Sequence, residues 1–305
     1  MPCRCPRRAC AGRPDGRRRT VALLDPATLG RLERLQLGTR RRLAGSIGGE
    51  HRSPNHGSTL DFADFRPYQP GDDFRRIDHL ALARLDRLLI RLYEAEDDLT
   101  VRLLIDTSAS MAGAVLHQAA RAASAIGFTA LTRRDRVSVH TFPLDVPAPT
   151  FRGRGATAAM FRHLESLEAT GVGDFVGAAR HLLGRPGPAG LTVLLSDLLT
   201  PDWEQGITRL PARGADLVVV HVLAAETLHP PLAGDLELVD QETGQTVAVS
   251  MSPATRRDYE ALAQSWADDV ARRCRSVGAA YVRVLDTDDL EALLVSAWRD
   301  AGVLR

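Results

Sequence analysis

Short apolar runs alternate with amphipathic stretches from Leu88 onward, and that alternation most limits what the chain can become. Thr100–Ile105, Arg136–Phe142, Leu191–Leu195, Leu217–Leu223 and Tyr281–Leu285 are strand-length and read as strands, the first of them buried. Between the first two, Met111–Thr132 carries Val115, Ala119, Ala122, Ile126 and Leu131 at helical spacing. Ala156–Ala169, Asp174–Leu183, Trp203–Leu210, Pro253–Val277 and Asp288–Val303 read as further helices, the last opened by an Asp288/Glu291 capping box. A short extended piece lies near Val146–Phe151. A hairpin spans Asp235–Met251 and turns at Glu242-Thr243-Gly244. Strands and helices in this order predict an α/β fold with a doubly wound, mostly parallel sheet.

The first part of the chain is different. Residues 1–20 mix Arg, Pro, Gly and Cys without periodicity, which predicts a disordered tail. Asp25-Pro26 is an N-cap followed by a first-turn proline. Leu29, Leu32, Leu35 and Leu37 extend that helix to about Leu43, and Gly45–Gly57 reads as loop. Three parts are expected: a tail over 1–20, a small polar, β-containing appendage over 21–98, and the main domain over 99–305.

Composition narrows the function classes. At net charge +1, no global field steers the chain to nucleic acid or anionic lipid. Every basic side chain other than histidine is arginine, so a lysine-dependent phosphate loop is excluded. Cys3, Cys5 and Cys10 have no second cysteine pair to complete a structural zinc site, and Cys274 stands alone. No apolar run approaches the ~20 residues of a membrane helix. Val21–Leu24 stops at Asp25, too short for a signal core, so a cytoplasmic protein without membrane insertion is expected.

The first buried strand ends in chemistry. Val101–Met111 reads V-R-L-L-I-D-T-S-A-S-M and sets Asp106, Ser108 and Ser110 at every second position. One carboxylate and two hydroxyls in a tight loop suit Mg²⁺ or Mn²⁺, and leave the ion positive enough to attract an outside carboxylate. The same serines would equally cap a following helix. Asp197 ends the strand Leu191–Leu195 at the same sheet edge. Two carboxylates there repel by a few kcal/mol at ~6 Å and an effective dielectric of ~20, a penalty that a divalent cation removes. The D-x-S-x-S pattern resembles the metal-ion-dependent adhesion site of the von Willebrand factor A fold, and Asp197 in L-L-S-D matches that fold's second aspartate. The resemblance also implies a threonine from a third loop. Here that loop is Gly171-Val172-Gly173-Asp174, and Gly173 stands in the threonine's place. Asp174 or Thr170 is left to supply the ligand, although Asp174 equally reads as a helix N-cap.

The second signal is a polar segment, Gly49–Arg84, in which Arg66, Arg75, Arg76 and Arg84 interleave with Asp61, Asp64, Asp72, Asp73 and Asp78 around a Pro-Gly turn. Arginine pairs bidentately with carboxylates, so this reads as an ion-pair network. Arg66, Tyr68, Pro70, Gly71, Asp72, Asp73, Arg75, Ile77, Asp78, Ala83, Arg84, Arg91, Glu94 and Glu96, followed by D-x-S-x-S-M, resemble the bacterial "domain of unknown function 58" family. His79 departs from it, standing where the family usually has tryptophan. The resemblance implies a polar network, Arg66, Tyr68, Asp72, Asp73, Arg75, Asp78 and Arg84, just before a von Willebrand factor A-like domain. It also implies a protein partner, a MoxR-type AAA+ ATPase, and a role in assembling or remodelling protein complexes. A non-enzymatic interaction module is therefore expected. The alternative is a metal-dependent hydrolase built on Asp72, Asp73 and Asp78, but the interleaved arginines favour internal ion pairs. A serine hydrolase lacks the G-x-S-x-G elbow.

Overall fold

The computed structural model describes residues 23–37, 60–69, 72, 74, 77–95, 99–143, 147–184, 190–211, 215–295 and 297–303. The tail expected over 1–20 lies outside them. Helix α1 (Pro26–Leu32) starts as expected, with the Asp25 carboxylate accepting from the Thr28 amide at 2.8 Å and Pro26 in the first turn. It ends at Leu32, not near Leu43. Leu35 and Leu37 still reach the core, but from non-helical chain.

The polar segment is framed by a hairpin that the sequence pattern did not reveal in full. Strand β1 (Leu60–Pro67) pairs antiparallel with β2 (Leu89–Ala95), with an irregularity between Phe62 and Asp64. Between them sits α2 (His79–Leu85).

The main sheet follows. Strand β3 (Thr100–Asp106) leads through a 3₁₀ turn at Ala109–Met111 into α3 (Ala114–Thr132). Gly113, at φ +78°, makes the corner between them, so the expected helix begins later than Met111. Then come β4 (Arg136–Phe142), β5 (Thr150–Arg152), α4 (Thr157–Glu165) and α5 (Phe175–Gly184). Strand β6 (Leu191–Ser196), α6 (Trp203–Arg209), β7 (Asp216–Leu223) and the short α7 (Ala225–Leu228) continue the pattern. The hairpin is β8 (Gly234–Val239) and β9 (Thr246–Met251), followed by α8 (Pro253–Ser276) and β10 (Ala280–Leu285). The last expected helix is two short ones, α9 (Leu290–Val295) and α10 (Ala297–Asp300). The Asp288 Oδ2 accepts from the Leu285 amide at 2.8 Å, and the Glu291 side chain of the expected capping box lies outside the described residues.

The sheet order is β10-β7-β6-β3-β4-β5, with every pairing parallel except that of the edge strand β5. Side-chain alternation divides the core. Val101, Leu103, Ile105, Val193, Leu195, Val220 and Val222 face one layer, with Ala119, Ile126, Met160, Leu290 and Trp298 from α3, α4, α9 and α10. Leu104, Leu194 and Val219 face the other, with Phe175, Ile207, Val270 and Cys274 from α5, α6 and α8. Each such large apolar side chain contributes roughly 1.5–3 kcal/mol by leaving water. The sheet is covered on both sides, which is why its strands read as continuous apolar runs. Leu23, Leu24, Leu32 and Leu37 join the first layer, so residues 23–37 share the main core. Among the described residues no helix is long and apolar enough to cross a membrane.

Strand order fixes where a site belongs. The chain leaves β3 toward β4 on one side and later returns to β6 on the other. The direction of winding reverses between β3 and β6, and in doubly wound sheets the crevice at that reversal opens beyond the strands' carboxyl ends.

Candidate functional site at the carboxyl edge of the sheet

Asp106 ends β3 in that crevice, and β6 runs alongside it with Ile105 opposite Leu195. The next residue of β6 is Ser196, and its hydroxyl donates to Asp106 Oδ2 at 2.5 Å. The other carboxylate oxygen accepts from the Ser108 amide at 2.9 Å and the Ser108 hydroxyl at 2.6 Å. Asp106 is fully buried, so it is a core residue and not part of an exposed loop. Burial pushes its carboxyl up from the usual range; the Ser108 and Ser196 hydrogen bonds oppose that, and the nearby charge of Glu242 adds to it.

The serines are placed by the turn, not by helix capping. Ser108 precedes the 3₁₀ turn but makes no capping bond with its side chain. Its hydroxyl instead lies 3.1 Å from that of Ser110. The turn is pinned to the third loop by two backbone bonds: Thr170 N donates to Thr107 O at 2.7 Å and Ala109 N to Gly171 O at 3.0 Å.

Asp197 lies one residue past β6 and is 3% exposed. Its Oδ1 accepts from the Leu199 amide at 3.0 Å, but its buried Oδ2 has no hydrogen-bond partner. Burial, then the charge of Asp106, raises its carboxyl to about 6, while the nearby Ser110 hydroxyl and the Leu199 amide oppose that rise. Behind it stands His221 of β7, whose Nε2 lies 3.0 Å from the Asp197 carbonyl and whose Nδ1 lies 2.9 Å from the Tyr281 hydroxyl. Burial drives the His221 pKa down to about 4, so the ring is neutral at pH 7 and Nε2 donates to that carbonyl.

The third loop shows why glycine occupies position 173. A Cβ there would sit 3.1 Å from Thr200 Cγ2 and 3.7 Å from Ser108 Cβ. A side chain there would need Thr200, whose hydroxyl donates to Asp202 at 2.6 Å, to give by a few tenths of an ångström. Asp174 is exposed, and its Oδ1 accepts from the Gly177 amide at 2.7 Å, the capping role that was its second reading. The structure thus brings together Asp106, Ser108, Ser110 and Asp197, and leaves Asp174 as the cap of α5.

Two participants escaped the sequence. Ser196 was visible only as the residue before Asp197, and its role depends on the register of β6 against β3. Glu242 was read as a turn residue, and nothing local pointed it at the sheet edge. Yet Ser110 Oγ donates to Glu242 Oε1 at 3.3 Å, and Gly173 N to Glu242 Oε2 at 3.4 Å. Among the described residues no group of three or more His, Cys, Asp or Glu side chains is arranged to hold a metal; what meets at this edge is two carboxylates and two hydroxyls.

The polar segment has settled its charges differently. Arg66 grips Asp72 with two bonds of 2.7 Å, and the Gln69 amide adds a third at 2.9 Å. The Arg66 guanidinium holds the Asp72 carboxyl below its usual range. Asp78 is the N-cap of α2, its Oδ1 accepting from Leu80 N at 2.8 Å and Ala81 N at 3.1 Å. Tyr68 ties to the β2 approach through its amide, which donates to Leu88 O at 2.9 Å. Arg84 is exposed in the last turn of α2, where a cation suits the carbonyl end of the helix. Pro70, Gly71, Asp73, Arg75 and Glu96 lie outside the described residues.

Residues 64–268 match the family described as protein of unknown function DUF58. The chain belongs to that family. Uncharacterised proteins of Mycobacterium tuberculosis (strain H37Rv) and of Mycobacterium bovis are each 31% identical over 284 residues, covering 89% of this chain and 89% of the relative. Among solved structures, a conserved hypothetical protein BatB from Bacteroides thetaiotaomicron aligns with 67% of this chain and 98% of its own, at 13% identity and a TM-score of 0.39. An aerotolerance-related membrane protein from Bacteroides fragilis aligns over the same shares at 16% identity and a TM-score of 0.40. The DUF58 match runs from the polar segment across the switch-point cluster, so both regions fall within it.

Proposed function

We propose that this DUF58 chain is a non-enzymatic interaction module with a von Willebrand factor A-like main domain. In this reading Asp106, Ser108, Ser110 and Asp197 hold Mg²⁺ or Mn²⁺, and the ion receives an acidic group of a partner protein. The partner is a MoxR-type AAA+ ATPase, and the joint work is assembly or remodelling of protein complexes. One observation carries the metal reading: the buried Asp197 Oδ2 has no hydrogen-bond partner, beside a second buried carboxylate whose pKa is also raised. Buried charges are normally paired or metal-bound. Hard oxygen donors of this kind fit a hard divalent cation. When bound, the ion supplies the positive charge that this edge otherwise lacks. The chain's own residues do the positioning. Ser196 and the Ser108 amide hold the Asp106 carboxylate, and His221 and the Leu199 amide hold the loop of Asp197.

The test is surface plasmon resonance between this chain and a MoxR-type ATPase, in Mg²⁺ and in EDTA. Binding that needs Mg²⁺ and is lost in Asp106→Asn supports the reading. Equal affinity in EDTA contradicts it.

A further inference from the structure

The β8–β9 hairpin is a freestanding two-stranded sheet. Leu238, Val239 and Val247 are exposed on it, and it rejoins the core at Met251, which is buried. Its turn is stiff. Asp240 Oδ1 accepts from the Glu242 and Thr243 amides at 2.8 and 3.3 Å, and Asp240 Oδ2 from the Thr243 hydroxyl at 2.7 Å. The Gly244 amide closes onto Asp240 O at 2.8 Å. A side chain on such a turn is aimed by the backbone, and Glu242 is aimed at the switch-point cluster.

Its surroundings there are unusual for an anion. The Glu242 carboxylate has two donors, the Ser110 hydroxyl at 3.3 Å and the Gly173 amide at 3.4 Å. Both exceed the 2.7–2.9 Å typical of good charge-assisted bonds. It adds a third negative charge beside Asp106 and Asp197, and among the described residues no ion pair neutralises any of the three. Among the described residues no three carboxylates form a metal cage; Glu242 reaches the edge through the Ser110 hydroxyl and the Gly173 amide. Ser110 is the shared element: its hydroxyl touches Ser108 on one side and Glu242 on the other. Gly173 is the other, its amide donating to Glu242.

We propose that Glu242 is an intramolecular ligand of the cation at this edge. The hairpin then occupies the position a partner's carboxylate would take, and an acidic partner must displace it. This rests on the metal reading above and adds its regulation: the site carries its own acidic ligand, and occupation by a partner frees the hairpin. Gly173 in place of a ligating threonine fits the same arrangement, since a donor absent from the third loop is replaced by one from the hairpin.

The experiment uses Mn²⁺ alone as probe, on the full chain, Glu242→Gln and Asp106→Asn. Bound Mn²⁺ is counted by electron paramagnetic resonance, and hydrogen exchange of the 240–246 amides is followed with and without the ion. The expected result is at least ~10-fold weaker Mn²⁺ binding in Glu242→Gln. Mn²⁺ should also slow exchange of those amides in the full chain but not in the variant. Mn²⁺ bound by the full chain, lost in Asp106→Asn and unchanged in Glu242→Gln overturns this proposal alone. No Mn²⁺ binding by the full chain overturns the metal reading together with it.

Discussion

Two acidic clusters in this chain meet opposite fates. In the polar segment, Asp72 lies in the fork of Arg66 and its carboxyl is held below the usual range, while Asp78 caps a helix. At the switch point, Asp106 and Asp197 are buried with hydroxyls and amides alone, and both are pushed up, Asp197 to about 6. Asp72 and Asp78 are satisfied within the chain. The second cluster is electrostatically unfinished. A carboxylate that the fold has already neutralised is part of the scaffold. One kept buried beside a like charge is where a cation would act.

The sharpest way to break this contrast is to remove the unfinished charge. Asp197→Asn keeps the shape and deletes the buried anion. In EDTA at pH 7.5 it should raise stability by roughly 2–3 kcal/mol, the worth of a carboxyl displaced from 3.8 to about 6. Urea unfolding measures this; a destabilised variant would mean the charge is compensated after all. The same variant sharpens the pH behaviour. His221 has its pKa lowered from 6.5 to about 4, so the unfolded chain takes the proton first as pH falls. Its contribution is full above about pH 6.5 and is lost toward pH 4. Asp197 acts oppositely: its penalty is full above about pH 6 and vanishes below 3.8. In the unaltered chain without metal the two nearly cancel between pH 4 and 6. In Asp197→Asn that opposing contribution is gone, and stability should fall more steeply from pH 6 to pH 4 than in the unaltered chain. A flat urea midpoint there would remove His221 from the account.

The finished cluster should respond less. Asp78→Ala removes an N-cap and should cost ~1 kcal/mol, seen in the same unfolding curves. A loss several times larger would mean that Asp78 holds a buried ion pair, not chiefly a cap. Asp72→Asn breaks a pair at the surface; its melting shift should be the smallest and should disappear in high salt.

The main sheet was legible because its strands are covered on both faces. Leu191–Leu195 announces itself as a nearly continuous apolar run, which the structure extends only to Ser196, whereas Arg136–Phe142 mixes polar residues with Val137, Val139 and Phe142. Helix ends were less legible where tertiary packing decides them. Leu35 and Leu37 continue the apolar pattern but enter the core from non-helical chain. The site divides in the same way. Asp106, Ser108 and Ser110 are local in sequence, and Asp197 follows from strand-end logic. Ser196 needed the register of β6 on β3, and Glu242 needed the fold of a hairpin 132 residues from Ser110. Asp174 carried both a ligand and a capping reading, and the position of Gly177 N favours the cap.

The central claim is that the switch-point carboxylates hold a divalent cation. Isothermal titration calorimetry with Mg²⁺ and then Mn²⁺ tests it directly, with Asp106→Asn as the control. One saturable site in the full chain, absent from the variant, is the expected result. Heats of dilution alone from the full chain, or binding that survives Asp106→Asn, would contradict it.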